Sequence, residues 1–302
     1  MARDPEELYE LDADAQALDG VVLLHHLDGF MDAGSAGGLV TEHLLEALEH
    51  QAVARFDVDR LIDYRSRRPP LTYARDRWES YEAPELTVSV LRDTADTPFL
   101  LLTGPEPDHE WELFIAAVRS LSGRLGARLT VGFHGIPMGA PHTRPLGITA
   151  HATSPDLISG YQPLPSRLQV PGSVAALLEF RLGEAGDAAA GLAVHVPHYL
   201  AQAAYPAAAL TLLESVTRTT GLTLPDDALR EASRRTDAEI ARQVQESDEV
   251  AELVRALERQ YDAFADTAGR DNLLADAPMP TADELGAQFE RFLAEQQGHT
   301  DP

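Results

Sequence analysis

The sequence contains no cysteine and no lysine, so its 24 basic residues are all arginine. Without cysteine there are no disulfides, thiolate nucleophiles or thiolate metal sites. Without lysine there is no Schiff-base chemistry, no Walker-type phosphate lysine and no lysine-linked modification. Positive charge is scarce as well. The 24 arginines face 49 acidic residues, a net charge of -25, whereas nucleic-acid binding needs clustered cations to neutralise phosphates. The same balance disfavours docking on an anionic membrane. No run approaches the ~20 apolar residues of a membrane span. Residues 1–20 are acidic and lack an apolar h-region, so no secretory signal is expected and a cytoplasmic location is. What is plentiful is apolar residues, 44% of 302. That suffices for a large core, and the length predicts one large α/β domain with an appendage.

The chain is organised around Val21 to Gly38, VVLLHHLDGFMDAGSAGG. Its apolar start, with two histidines, predicts a short buried strand. Asp28 to Gly34 then turns into a helix over Leu39 to Leu48, which is the opening of a βα unit. In a parallel α/β sheet that turn lies at the carboxyl edge, where ligands bind. Further strands are expected at Val53 to Tyr64, Leu86 to Leu91, Pro98 to Thr103, Arg128 to Phe133, Ile148 to Ala152 and Gly191 to Val196. Helices are expected at Leu113 to Leu125, Gly172 to Ala185 and Tyr205 to Thr219. Arg65 to Trp78, with Pro69 and Pro70, reads as an exposed loop, and His134 to Pro145 as a strand-end loop. Strands alternating with helices predict a three-layer α/β/α core around a mostly parallel sheet. Residues 1–222 form this core in that reading and 223–302 an acidic helical extension. The extension is read as a hairpin of Pro225 to Gln245 with Asp248 to Asp266, then a capping-box helix from Thr281.

Four stretches together, in their order and spacing, carry a resemblance: Asp28-Gly29-Phe30-Met31-Asp32-Ala33-Gly34; Gly104-Pro105-Glu106-Pro107-Asp108; Gly135-Ile136-Pro137-Met138 with Pro141-His142-Thr143-Arg144-Pro145; and His195-Val196-Pro197-His198-Tyr199. They resemble the PAC2 family, named after a proteasome assembly chaperone, in the form found in high-GC Gram-positive bacteria. The resemblance covers about Val21 to Leu222 and the acidic tail. It implies a core similar to nucleoside phosphorylases and a homo-oligomer, with a trimer expected because such cores often assemble that way. It also implies proteasome subunits as partners. Eukaryotic members dock through a C-terminal hydrophobic-Tyr-any tripeptide, whereas this sequence ends Gly298-His299-Thr300-Asp301-Pro302, so tail docking is not expected here.

Two functions of different class follow. One is a non-catalytic assembly chaperone or scaffold. The other is a small-molecule-binding protein or a hydrolase or phosphorylase-like enzyme working at the carboxyl edge of the sheet. The candidate ligand-binding edge is Asp28, Phe30, Asp32, Glu106, Asp108, His109, His134, Pro137, Met138, His142, Arg144 and His198. Carboxylates and imidazoles are the groups for acid–base work, and Arg144 beside Thr143 suits an anion. Each group also has a structural role open to it: Asp28 and Asp32 can cap the helix that follows, and His25 and His26 can be core and edge residues. With no HExxH-like signature, neither metal nor cofactor is expected.

Overall fold

The computed structural model describes residues 3–29, 31–162 and 167–268, with side chains as far as 263. The expected helix from Thr281 lies outside these residues, as does Phe30. The chain divides into a unit Met1–Tyr261 and a second, Asp262–Pro302.

Among the described residues of the first unit ten strands form: β1 (Tyr9–Leu11), β2 (Val21–Asp28), β3 (His50–Phe56), β4 (Leu71–Ala74), β5 (Arg77–Tyr81), β6 (Thr87–Arg92), β7 (Pro98–Pro105), β8 (Ala127–Met138), β9 (Ile148–Ala152) and β10 (Ala189–Pro197). The helices are α1 (Ala36–Ala47), a single turn α2 (Val58–Leu61), α3 (Trp111–Leu125), α4 (Val174–Ala185), α5 (Pro206–Thr220), α6 (Asp227–Glu246) and α7 (Asp248–Ala268). Eight strands make one sheet in the order β1-β3-β6-β7-β2-β8-β10-β9. Its centre, β7-β2-β8-β10, is parallel throughout. Antiparallel partners flank this centre, so β3, β7, β2, β8 and β10 run one way.

The layering follows from strand parity, because alternate side chains leave opposite faces of a sheet. Val22, Leu24, Val131, Phe133, Leu192 and Val194 pack under α1, α5 and the buried side of α6. Val21, Leu23, Leu100 and Leu102 pack under α3 and α4 with Phe114, Val118, Leu121 and Leu178. Both cores are continuous, which explains why the central strands read as unbroken apolar runs.

Three expectations need correction. The strand predicted over Val53 to Tyr64 stops at Phe56, and Asp57 leads into the turn α2. The segment read as a loop, Arg65 to Trp78, contains most of a separate two-stranded sheet, β4 with β5. Its prolines end before Leu71, and Pro70 contributes only its carbonyl, which accepts the Glu82 N–H. The loop predicted from His134 is strand as far as Met138, paired in register with Ala193 to Pro197. The two helices expected in the tail are present as α6 and α7, with Ser247 between them.

Candidate functional site

The carboxyl ends of β7, β2, β8 and β10 lie along one edge, so their four following segments meet there. Asp32 organises them. Its Oδ1 accepts the N–H groups of Gly37 at 2.9 Å and Gly135 at 2.8 Å, and its Oδ2 accepts that of Gly38 at 3.0 Å. One carboxylate thus caps α1 and clamps the turn onto β8. Gly135 is required because a Cβ there would stand 2.1 Å from the Ala33 carbonyl oxygen. Gly34 has φ 68°; its N–H donates to the Ala201 carbonyl at 2.8 Å, and its own carbonyl accepts from Tyr205 N–H at 2.9 Å. The turn is therefore bonded to the segment after β10 as well.

His26 sits beneath this turn on the α1 face, buried to 4% exposure. Its ring lies where a Cβ on Gly37 would fall, 2.4 Å from Nδ1, and stacks against Phe133 with ring centroids 5.9 Å apart. Nδ1 donates to the Phe133 carbonyl at 3.1 Å. Nε2 makes no well-aligned hydrogen bond, but it lies 3.3 Å from Asp28 Oδ1 and 3.7 Å from Asp32 Oδ2. Burial opposes charge on this ring most strongly. The Asp28 hydrogen-bonding carboxylate, the Asp32 charge and the Phe133 carbonyl together outweigh it and raise the pKa.

His25, His134 and His195 lie on the opposite face and behave differently. His25 covers Gly132 on the neighbouring strand, and His195 covers Gly147 in the same way. Burial, followed by the charges of His26 and His134, pushes His25 down to about 3. Burial likewise lowers His134 to about 4 against the pull of Asp32. His195 is also lowered by burial. Burial holds these three rings towards the neutral form, and His25 and His195 pack over glycines; His151, over Gly191 on the same face, is instead raised by the Glu179 carboxylate 2.8 Å away.

The remaining expected residues divide into separate local structures. Glu106 is buried, and its Oε1 accepts the first N–H of α4, that of Val174, at 2.7 Å; Gly29 makes room for its carboxylate. Asp108 accepts from Arg67 at 2.9 Å and from Asp63 N–H at 2.8 Å. His109 is exposed beside it. His142 Nδ1 is 2.7 Å from the Tyr199 hydroxyl, which also accepts the His142 N–H. His198 stacks edge-on against Tyr199. Burial lowers both His142 and His198. Pro137 and Met138 end β8 as strand residues. Arg144, read as an anion site, is ion-paired at 3.2 Å with Glu258 of α7, which also accepts from Thr143. Asp32 performs the capping role open to it, whereas the Asp28 side chain is 74% exposed and caps no helix among the described residues.

Beside His26 and Asp28 opens a cleft of about 570 Å³ between α1 and the end of β7. Its wall includes Leu39, Thr41, Glu42, Leu45 and Glu46 of α1 and Thr103 of β7. None of these was among the expected site residues. Their signal is present in the sequence: Gly38, Thr41, Glu42, Leu45 and Glu46 fall at i, i+3, i+4, i+7 and i+8, one face of the helix. No group of three or more metal-ligating side chains occurs among the described residues. No described helix is long and apolar enough to cross a membrane.

A helix-flanked sheet with a parallel centre, whose edge carboxylates mostly hold the fold together, defines an α/β protein with an internally bonded carboxyl edge. The PAC2 family model matches residues 26–244, and the chain belongs to the PAC2 family. A Mycobacterium tuberculosis protein of unknown function, Rv2714, is similar to it at 50% identity and TM-score 0.84, covering 89% of this chain and 92% of that one. A Corynebacterium glutamicum protein of unknown function has 39% identity and TM-score 0.81, with 86% and 98% covered. A Mycobacterium tuberculosis proteasome-assembly chaperone homologue, Rv2125, shares the fold at 24% identity and TM-score 0.71, with 78% and 100% covered. No curated protein matches the chain.

Proposed function

We propose that this protein is a non-catalytic, homo-oligomeric assembly chaperone or scaffold linked to the proteasome, with residues 223–302 as an acidic interaction extension. The observation that carries the reading is how the edge groups are used. Asp32 accepts three backbone N–H groups, Glu106 holds the start of α4, Asp108 holds Arg67, and Arg144 is paired with Glu258. Polar groups that elsewhere bind substrate are here committed to fixing a platform. PAC2 membership supports the proteasome link, and the chaperone homologue shares the platform's fold.

The test is co-elution of the purified full chain with purified proteasome α subunits, with mass read by light scattering. The expected result is a mass that is a multiple of the 32.8 kDa chain and a shift of the α subunits into its peak. A monomer that leaves the α subunits unshifted would overturn the reading. So would a thermal shift given by phosphate, a nucleoside or a divalent metal and lost in Asp28→Ala, because that would make the edge a ligand site.

A further inference from the structure

Asp32, Glu106 and Asp108 are committed to holding the fold, but Asp28, Glu42 and Glu46 are not, and these three line the α1 cleft. Among the described residues no arginine pairs with the side chain of any of them. Arg67 reaches only the Asp28 carbonyl, at 3.1 Å. Glu42 and Glu46 are exposed and stand at i and i+4 on one face of α1, where like charges repel. Leu39 and Leu45, both half-buried, share the same wall. The volume of about 570 Å³ is that of a small-ligand site.

Two polar atoms buried in this wall lack a hydrogen-bond partner: His26 Nε2, on a side chain only 4% exposed, and Thr41 Oγ1. With the Nδ1 proton donated to Phe133, the neutral His26 ring presents a lone pair at Nε2. The atom facing it, Asp28 Oδ1 at 3.3 Å, is itself an acceptor. Two acceptors at that distance need a proton between them. Either the ring takes up a second proton, or a ligand donates to both. The ligand that fits is a cation, because Asp32 already occupies the N–H groups of Gly37 and Gly38, so the start of α1 has nothing to offer an anion. An ammonium group carries three donors and no acceptor, which matches a wall of carboxylates, a lone pair and the Thr41 hydroxyl.

We propose that the α1 cleft binds a short aliphatic diamine, with one ammonium held between Asp28 and His26 Nε2, the other between Glu42 and Glu46, and the methylene chain lying over Leu39 and Leu45. The spacing of the two acidic poles selects this ligand. The His26 ring lies against Gly37, and Glu42 and Glu46 follow at about 7 Å and about 13 Å along the helix axis. A single ammonium reaches one pole only, whereas two joined by a short methylene chain reach both and cover the leucines between them. The net charge of -25 draws cations to the whole surface, and the cleft discriminates among them by this spacing. The site binds and holds no group that reacts, so it adds a ligand to the non-catalytic reading above and does not depend on it.

The experiment is calorimetric titration of the full-length chain with diaminobutane, diaminopentane and butylamine at matched ionic strength. It compares wild type, Glu42→Gln with Glu46→Gln, and a control pair outside the cleft, Glu10→Gln with Asp14→Asn, which removes the same charge. All four positions are exposed, and an unchanged far-UV circular dichroism spectrum confirms the fold. A diamine is expected to bind at one site at least about tenfold more tightly than butylamine, and the cleft pair to lose at least about tenfold while the control pair loses little. The second readout is the NMR titration of His26, whose charged and titratable neighbours are Asp28, Asp32, His25 and His134. A bound ammonium donating to Nε2 displaces the ring's second proton, so saturating diamine should move the His26 midpoint down by about one pH unit, which is the same tenfold coupling measured from the other side. No binding, or butylamine binding as tightly as the diamines, would overturn the proposal. Equal losses in the two pairs would reduce the binding to diffuse attraction and overturn it too, as would an unmoved His26 midpoint.

Discussion

His25 and His26 are neighbours on one strand, equally buried at 3% and 4% exposure, and the fold drives them in opposite directions. Under α3 and α4, His25 covers a glycine and has only other histidines as charged neighbours, so burial decides and the ring is neutral. Under α1, His26 meets two carboxylates and a carbonyl, which outweigh the same burial. Residue type and depth are matched, so the difference comes from what the turn after β2 brings back over the strand. The lesson concerns the whole edge: its chemistry belongs to the return path of the chain, and Asp32 fixes that path.

The strongest way to break the contrast is therefore Asp32→Ala. It strands three N–H groups, on Gly37, Gly38 and Gly135, and removes one of the two carboxylates facing His26. Thermal unfolding should show a loss of about 3 kcal/mol, and the NMR-titrated pKa of His26 should fall towards that of an ordinary buried histidine. Asp32→Asn keeps one acceptor oxygen and should lose about half as much. A variant as stable as wild type would show that the turn is held by other bonds.

Acid tests the other face. His25 and His134 have folded pKa values lowered to about 3 and about 4. Above the unfolded value of about 6.5 both states are neutral and the two groups contribute no pH dependence. As pH falls below about 6.5, the unfolded chain takes up protons that the folded chain refuses, so stability falls. By about pH 4.5 each group should cost about 2–3 kcal/mol. Urea unfolding across this range should show the loss, and His25→Leu should flatten the slope by about half. An unchanged slope in that variant would place the acid sensitivity elsewhere.

Part of this was legible in advance. The apolar run, the glycine-rich turn and the helical spacing after it made β2 and α1 readable, and alternation along the chain gave the three layers. Asp32 was visible as a cap because a carboxylate just before a helix has few other uses. Two segments misled for one physical reason, that glycine and proline serve more than turns. Gly135 admits the Ala33 carbonyl and Pro137 stays in register with Val196, so a glycine- and proline-bearing stretch continues as strand. Pro69 and Pro70 flank an exposed ribbon instead of forbidding one. The opposed environments of His25 and His26 could not be read from a doublet, because parity says that they face apart but not which face the acidic turn covers. Arg144 read as a free cation because its partner, Glu258, lies 114 residues away in sequence.

The smallest expected effect sharpens the comparison from the His26 side. Its folded pKa is raised, so it contributes stability that is fully present below the unfolded value of about 6.5 and is lost as pH rises through the folded pKa. This window is the mirror image of that of His25. The contributions of His25 and His134 on one side and of His26 on the other therefore place maximal stability near neutrality, with a slope of opposite sign from each. His26→Gln keeps a donor for the Phe133 carbonyl but no titrating group. It should cost about 1 kcal/mol or less below pH ~6.5 and nearly nothing at higher pH, removing only the alkaline slope. Unfolding at the two ends of that range measures it. A loss of equal size at both ends would mean that His26 matters for its shape against Gly37 and not for its charge, and the two neighbours would then differ in position alone.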